Sequence, residues 1–175
     1  MELVTIDPRS QIYYAHVDSP VGPLLLIGAV SDSVFALVGL SMQEQTHAPE
    51  VGVGWVHDDS VFTEVVSQLE QYFAGERTEF DLTIGIDHQG TEFQGDVWRA
   101  LTEIPYGQTA SYAEVAASVG RPRATRAVGS ANGRNPLAIV IPCHRVVAAG
   151  GGLGGYGGGL DRKALLLDLE ASHQT

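Results

Sequence analysis

The sequence has a single cysteine, Cys143, among 175 residues. One thiol excludes an internal disulfide framework and any multi-cysteine zinc site. Long hydrophobic runs are missing too. Gly22, Pro23, Ser31 and Asp32 break the most apolar stretch well short of the ~18–20 residues a membrane helix needs. The opening Met1-Glu2-Leu3-Val4-Thr5-Ile6-Asp7-Pro8 lacks the basic-then-apolar pattern of a secretion signal. A cytoplasmic protein with no membrane association is expected, and its one thiol needs an explanation.

Positive charge is scarce, with 10 basic against 21 acidic residues and a net charge of −11. Read alone, that argues against nucleic acid. The distribution reverses the impression. Residues 1–90 carry 14 acids and only Arg9 and Arg77, whereas no acid occurs between Glu114 and Asp161. Arg121, Arg123, Arg126, Arg134 and Arg145 all fall in that acid-free stretch. Such a stripe can face a phosphate backbone on an otherwise acidic molecule, although a set of solvated surface arginines would look the same.

The first half reads as α/β with a small antiparallel sheet. Ile12 to His16, Leu24 to Ala29 and Val34 to Leu40 are strand-like, the first two joined by the turn-rich Asp18-Ser19-Pro20-Val21-Gly22-Pro23. Residues 41–59 lack periodicity and read as loop. Val61, Val65, Leu69 and Tyr72 recur at helical spacing, predicting a helix from Ser60 to Ala74. Leu82, Ile84 and Ile86 alternate as a further strand.

The second half reads as mainly helical, with a helix-turn-helix of winged-helix-like character. Thr91-Glu92-Phe93-Gln94 and Ser111-Tyr112-Ala113-Glu114 are capping boxes. The second opens a short helix that closes at Gly120, and Pro122 stands near the start of another running to about Asn132. Arg123, Arg126 and Ser130 share one face of that helix, while Ala124, Val128 and Ala131 line the other. A last helix from about Asp161 to Ala171 would carry Leu165, Leu166 and Leu169 inward. The expected domains are 1–88 and 89–175.

A free cysteine is most often a small buried hydrophobe. Here His144 and Arg145 follow it directly, and a nucleophilic thiol needs a nearby base or positive charge. On a regular strand Cys143 and His144 would point to opposite faces, but Pro142 makes a local turn plausible, and a water could bridge the two. A histidine base works better when a carboxylate orients its other nitrogen. Asp161, Asp168 and Glu170 are the nearest candidates, and spacing does not choose among them.

Pro142-Cys143-His144-Arg145-Val146 closely resembles the active-site signature of the O6-alkylguanine-DNA alkyltransferases, or methylated-DNA–protein-cysteine methyltransferases. The resemblance extends through Phe93-Gln94, Ile104-Pro105-Tyr106-Gly107, Ser111-Tyr112, Arg126-Ala127-Val128-Gly129, Asn135-Pro136, Tyr156-Gly157-Gly158-Gly159 and Glu170. The first half matches in general plan, including the Ser19–Pro23 turn.

That resemblance implies a single-turnover repair activity: Cys143 takes the alkyl group from O6-alkylguanine, or from O4-alkylthymine, in duplex DNA. His144 would be the water-mediated base and Glu170 the carboxylate that polarises it. Asn135 would brace the turn behind the site. Tyr112 would donate toward guanine N3, and Arg126 would fill the gap left by the flipped nucleotide. Arg121, Arg123, Ala127, Gly129, Ser130 and Arg134 would complete a minor-groove surface with little sequence preference. Tyr112, Cys143, Val146, Tyr156 and Gly157 would form the base pocket, with the Gly157 N–H meeting O6 and the Cys143 and Val146 carbonyls meeting the exocyclic amine. Many relatives carry serine at the Gly157 position, so the glycine-rich loop is expected to be looser here.

Some relatives bind zinc through N-terminal cysteines and histidines. His16, His47, His57 and His88 lack ligand spacing, so no metal and no cofactor are expected. A monomer is expected in solution, with cooperative assembly on DNA left open. Two other readings compete: a winged-helix regulator whose cysteine senses alkylation or oxidation, and a Cys-His hydrolase. The hydrolase is weakened by the basic stripe and by the lack of an oxyanion-hole signature. The regulator is weakened by the lack of an Asn/Gln-rich base-reading face.

Overall fold

The computed structural model describes residues 1–31, 34–86 and 90–173. The expected boundary at 88/89 lies outside the described residues.

Three long strands form the centre of the first half: β2 (Gln11–Val17), β3 (Leu24–Ser31) and β4 (Val34–Met42). They pair antiparallel in sequence order, as the expected small antiparallel sheet requires. The sheet is nevertheless mixed, because short parallel strands complete both edges. β5 (Val56–His57) joins β2, while β6 (Thr83–Ile84) joins β4 and carries β1 (Glu2–Leu3) outside it. Strands of two residues are too short to show alternation, so β5 falls within the stretch that reads as loop and β1 has no counterpart in the sequence reading.

Helix α1 (Thr63–Phe73) buries Val65, Leu69 and Tyr72 against the sheet. Asp59–Phe62 is a 3-10 turn, so the helix proper begins three residues later than the periodicity predicts. Val61 is only partly buried, and the fourth inward residue is Gln68, whose amide caps both backbone groups of Asp81 at 2.8 Å.

Both capping boxes form, opening α2 (Glu92–Thr102) and α3 (Tyr112–Ser118). Trp98 of α2 donates its indole N–H to the Ala131 carbonyl at 2.9 Å, locking α2 onto α4 (Thr125–Gly133). The α3–α4 unit is the expected helix-turn-helix. Its second helix starts beyond Pro122, because Arg121–Ala124 closes a separate turn through the Ala124 N–H and the Arg121 carbonyl at 2.8 Å. Two short strands, β7 (Ala110–Ser111) and β8 (Val146–Val147), pair in parallel.

Helix α5 (Leu160–Ser172) departs from the expected stripe: its buried positions are Lys163, Leu166 and Glu170, and Leu165 faces solvent. Among the described residues, no helix is long and apolar enough to cross a membrane.

Candidate active site

The segment after α4 is buried and tightly folded. Leu137–Ile141 runs beside β4, with the Leu40 N–H donating to the Pro136 carbonyl and the Ala138 N–H to the Leu40 carbonyl, both at 2.9 Å. Two successive reversals then deliver Cys143. At Ile139 the backbone adopts φ +72°, and the Val140 N–H bonds the Ala138 carbonyl at 2.9 Å. That is a γ-turn of the rarer, strained hand on a β-branched residue. Pro142 (φ −80°, ψ 63°) makes an inverse γ-turn, with the Cys143 N–H on the Ile141 carbonyl at 2.8 Å. Strain of this kind persists only where surrounding contacts impose it. Asn135 supplies those contacts: its Nδ2 donates to the Ile141 carbonyl at 2.7 Å, and its Oδ1 accepts from the Leu137 N–H at 3.0 Å.

Cys143–Arg145 is a 3-10 turn, so Cys143 and His144 are not strand neighbours on opposite faces. His144 is fully buried. Its Nε2 lies 2.8 Å from Glu170 Oε1. Glu170 also accepts from Arg145 Nε and Nη2 (2.9 Å each), from the Tyr72 hydroxyl at 2.8 Å and from the Gly107 N–H at 2.9 Å. Burial alone would raise the pKa of this carboxyl, but the hydrogen bonds from His144 and Arg145 bring it down to about 2. An ionised carboxylate only accepts, so His144 Nε2 carries the proton and Nδ1 holds the lone pair. Burial also lowers the His144 pKa against the opposing pull of Glu170, which keeps the imidazole neutral. Nδ1 is buried and, among the described residues, has no hydrogen-bond partner. Spacing left three carboxylates open; the geometry selects Glu170, while Asp161 and Asp168 are exposed.

The Cys143 residue is 4% exposed. Burial pushes its thiol pKa up, while hydrogen bonding with Asn135 and Tyr156 and the charge of Lys163 pull it back. Lys163, the sequence's one lysine, is fully buried. Its Nζ donates to the carbonyls of Val146 and Leu153 and stands 5.9 Å from the centre of the Tyr156 ring. The Cys143 carbonyl accepts from the Val146 N–H and from Asn132 Nδ2 at 3.3 Å, so its lone pairs are already engaged. The Val146 carbonyl retains one.

A cleft of about 420 Å³ is lined by Tyr112, Ser130, Asn132, Gly155, Gly157 and Tyr156, a hydrogen-bond partner of the thiol, together with Thr46 and His47 of the first half. The Tyr112 hydroxyl rests on the Gly155 carbonyl at 3.2 Å. Among the described residues, nothing accepts from the Gly157 N–H.

Residues 92–172 match the family described as 6-O-methylguanine DNA methyltransferase, DNA binding domain, and residues 12–86 match that described as its ribonuclease-like domain. A methylated-DNA–protein-cysteine methyltransferase of Mycobacterium leprae is 55% identical over 164 residues, covering 94% of each chain. One from Methanosarcina acetivorans is 48% identical, covering 92% of this chain and 99% of that protein. The Mycobacterium tuberculosis OGT solved in complex with DNA superposes with a TM-score of 0.81 at 49% identity, covering 92% of this chain and 94% of the other. The chain belongs to the 6-O-methylguanine DNA methyltransferase family.

In this methyltransferase family member, the helix-turn-helix leaves Arg121, Arg123, Arg126, Ala127, Ser130 and Arg134 exposed and Gly129 half-buried against Tyr112. Among the described residues none of these four arginines makes an ion pair. Arg145 leaves the stripe: it is 7% exposed and spent on Glu170 and the Ile104 carbonyl. Tyr72, Asn132 and Lys163 belong to the site, and the sequence reading missed them. Lys163 was within reach of it, since it stands one and two turns before Leu166 and Glu170 on a single helix face.

Proposed function

We infer that this protein reverses DNA alkylation directly, moving the methyl group of O6-methylguanine onto Cys143, its one cysteine, in a single irreversible turnover. The observation that carries this reading is the His144 ring, on the residue that follows Cys143: Nε2 is committed to Glu170, and Nδ1 has no hydrogen-bond partner among the described residues. Cys143 gives its proton through one water to Nδ1, and the sulfur attacks the alkyl carbon from the side opposite O6. A C–S bond forms as the C–O6 bond breaks, and the electron pair passes into the purine. The Tyr112 hydroxyl donates a hydrogen bond to N3 as charge builds on the purine, and the proton taken up by His144 passes through solvent to the purine, so guanine is left neutral. The thioether has no route back to a thiol, because the chain offers no second cysteine to accept the group.

The alkylated oxygen lies within the duplex, so the nucleotide must flip out first, which costs a few kcal/mol and less for a poorly paired base. Arg126, exposed on α4 beside half-buried Gly129, fills the vacated stack, with Arg121, Arg123 and Arg134 on flanking phosphates and Ala127, Gly129 and Ser130 against the minor groove. Tyr156 and the free Gly157 N–H receive the base, with the Val146 carbonyl on its exocyclic amine. Residues 1–88 and 89–175 act as scaffold and reactive unit. O4-alkylthymine, a monomeric state, little sequence preference and a cytoplasmic location complete the proposal.

The test is an intact mass after incubation with a duplex carrying labelled O6-methylguanine. One methyl per protein is expected on Cys143, and none in Cys143→Ala. Labelled base left in the DNA would favour the regulator, and repeated turnover the hydrolase.

A further inference from the structure

The Ser19–Pro23 turn and residues 41–59 have no part in the chemistry above, yet Thr46 and His47 line the cleft and the turn is tied to the same loop. The turn is closed by the Gly22 N–H on the Ser19 carbonyl (2.9 Å), and Ser19 Oγ donates to the Gly22 carbonyl at 2.6 Å. Gly22 sits at φ +91°, and a Cβ there would stand 3.3 Å from Arg162 Nη2. The Pro23 carbonyl accepts from the Gln43 N–H at 3.0 Å, which ties the turn to the loop after β4. Arg162 then bridges the two halves: its Nη1 donates to the Gln43 carbonyl at 2.7 Å and to the Gly158 carbonyl at 3.2 Å. One residue earlier, the Gly157 carbonyl accepts from the Thr46 N–H at 2.9 Å.

Packing repeats the connection. A Cβ on Gly158 would stand 2.7 Å from Met42 Sδ, and one on Gly157 would stand 3.6 Å from Gln45 Cγ and from the Thr46 carbonyl oxygen. The Met42–His47 loop is itself tightly folded, with Met42 and Gln45 exchanging hydrogen bonds at 3.0 and 3.1 Å and with Glu44 and His47 both at positive φ. Eight glycines in residues 150–159 would otherwise leave the cleft wall with many backbone conformations. Serine is absent at Gly157, but the wall is held from behind.

We propose that Arg162 and the Met42–His47 loop position the Gly157–Gly158 wall of the cleft and thereby limit the size of the alkyl group it admits. The inference rests on the alkyl-transfer function proposed above. With Gly157 backed by Thr46 and Gln45, the wall has little room to retract around a large substituent. Freed from Arg162, it would hold a small methyl group less well in line with the sulfur and would yield to a bulky one. Misplacement of reacting groups by an ångström is enough to slow a reaction severely.

The experiment measures single-turnover transfer from duplexes carrying O6-methylguanine or O6-benzylguanine, in the wild type, Arg162→Ala and Arg162→Lys. Hydrogen exchange of peptides covering residues 150–159 is followed alongside. Arg162→Ala is expected to slow methyl transfer about tenfold while slowing benzyl transfer much less, and to speed exchange of the loop but not of α1. Arg162→Lys retains a charged donor able to reach one carbonyl and should fall between. A methyl-to-benzyl ratio unchanged in Arg162→Ala, or loop exchange equal to wild type, overturns the proposal. Should the wild type transfer neither group, the functional reading fails, while the exchange comparison still decides whether Arg162 holds the loop.

Discussion

The Tyr72 hydroxyl, from a helix of the first half, donates at 2.8 Å to the same Glu170 oxygen that receives His144 Nε2. The Glu170 carboxylate that His144 meets is therefore held from both halves of the chain. Tyr72→Phe keeps the ring packing and removes one donor from a buried charge. Such hydrogen bonds are worth about 1.5–3 kcal/mol, so urea denaturation should show a loss in that range. Single-turnover methyl transfer should slow as well. Wild-type stability in Tyr72→Phe would show that the remaining donors suffice.

Asn135 holds the two γ-turns that deliver Cys143, and Asn135→Ala frees Ile139 to leave its strained φ. Methyl transfer should fall at least about tenfold through displacement of the sulfur. Stability should fall by about 1–3 kcal/mol, because the Ile141 carbonyl and the Leu137 N–H lose a buried partner. A variant that loses stability but transfers at the wild-type rate would confine Asn135 to folding.

The pH dependence follows from three buried groups. His144 stays neutral in the fold below its ordinary 6.5, whereas the unfolded chain takes up the proton there. Its contribution to stability is complete above pH 6.5 and is lost as pH falls below it. Glu170, held at about 2 against an ordinary 4.5, adds stability that is present above 4.5 and lost on the way down to about 2. Both losses lie on the acid side. Cys143 ionises first in the unfolded chain, near 9, so stability also declines above that pH. Urea melts between pH 3 and pH 10 should show this dome, and the acid limb of the transfer rate should fall below 6.5. A rate limb above 6.5 would mean that the imidazole is not held neutral.

Arg126 is exposed on α4 and makes no ion pair among the described residues. Arg126→Ala should weaken duplex binding and flatten the salt dependence of log K, by about one unit of slope if a phosphate contact goes with it. Reaction with a free alkylguanine should remain close to wild type. Equal losses in both assays would place Arg126 in the folding of the domain.

Much of the site was legible because its parts are local in sequence. The two capping boxes, the helix-turn-helix and the Cys143-His144 pair each depend on neighbours a few residues apart. Glu170 needed the family resemblance to be chosen, since it meets His144 from 26 residues away. Arg145 was misread as a surface charge, because sequence does not show that a carboxylate and a carbonyl await it in the interior. Tyr72 fitted an apolar helix stripe, and only its hydroxyl, which needs a partner once buried, hinted at more. The sheet edges were missed for a different reason: two-residue strands are fixed by the neighbour they pair with, not by their own pattern.

The enclosure of Lys163 reaches beyond repair. With every other basic side chain an arginine, acylating reagents that seek lysine find no reachable ε-amine while the fold is closed. The rate at which Lys163 becomes acylated thus works as a clock for opening of the fold around it, readable by mass at a single ε-amine.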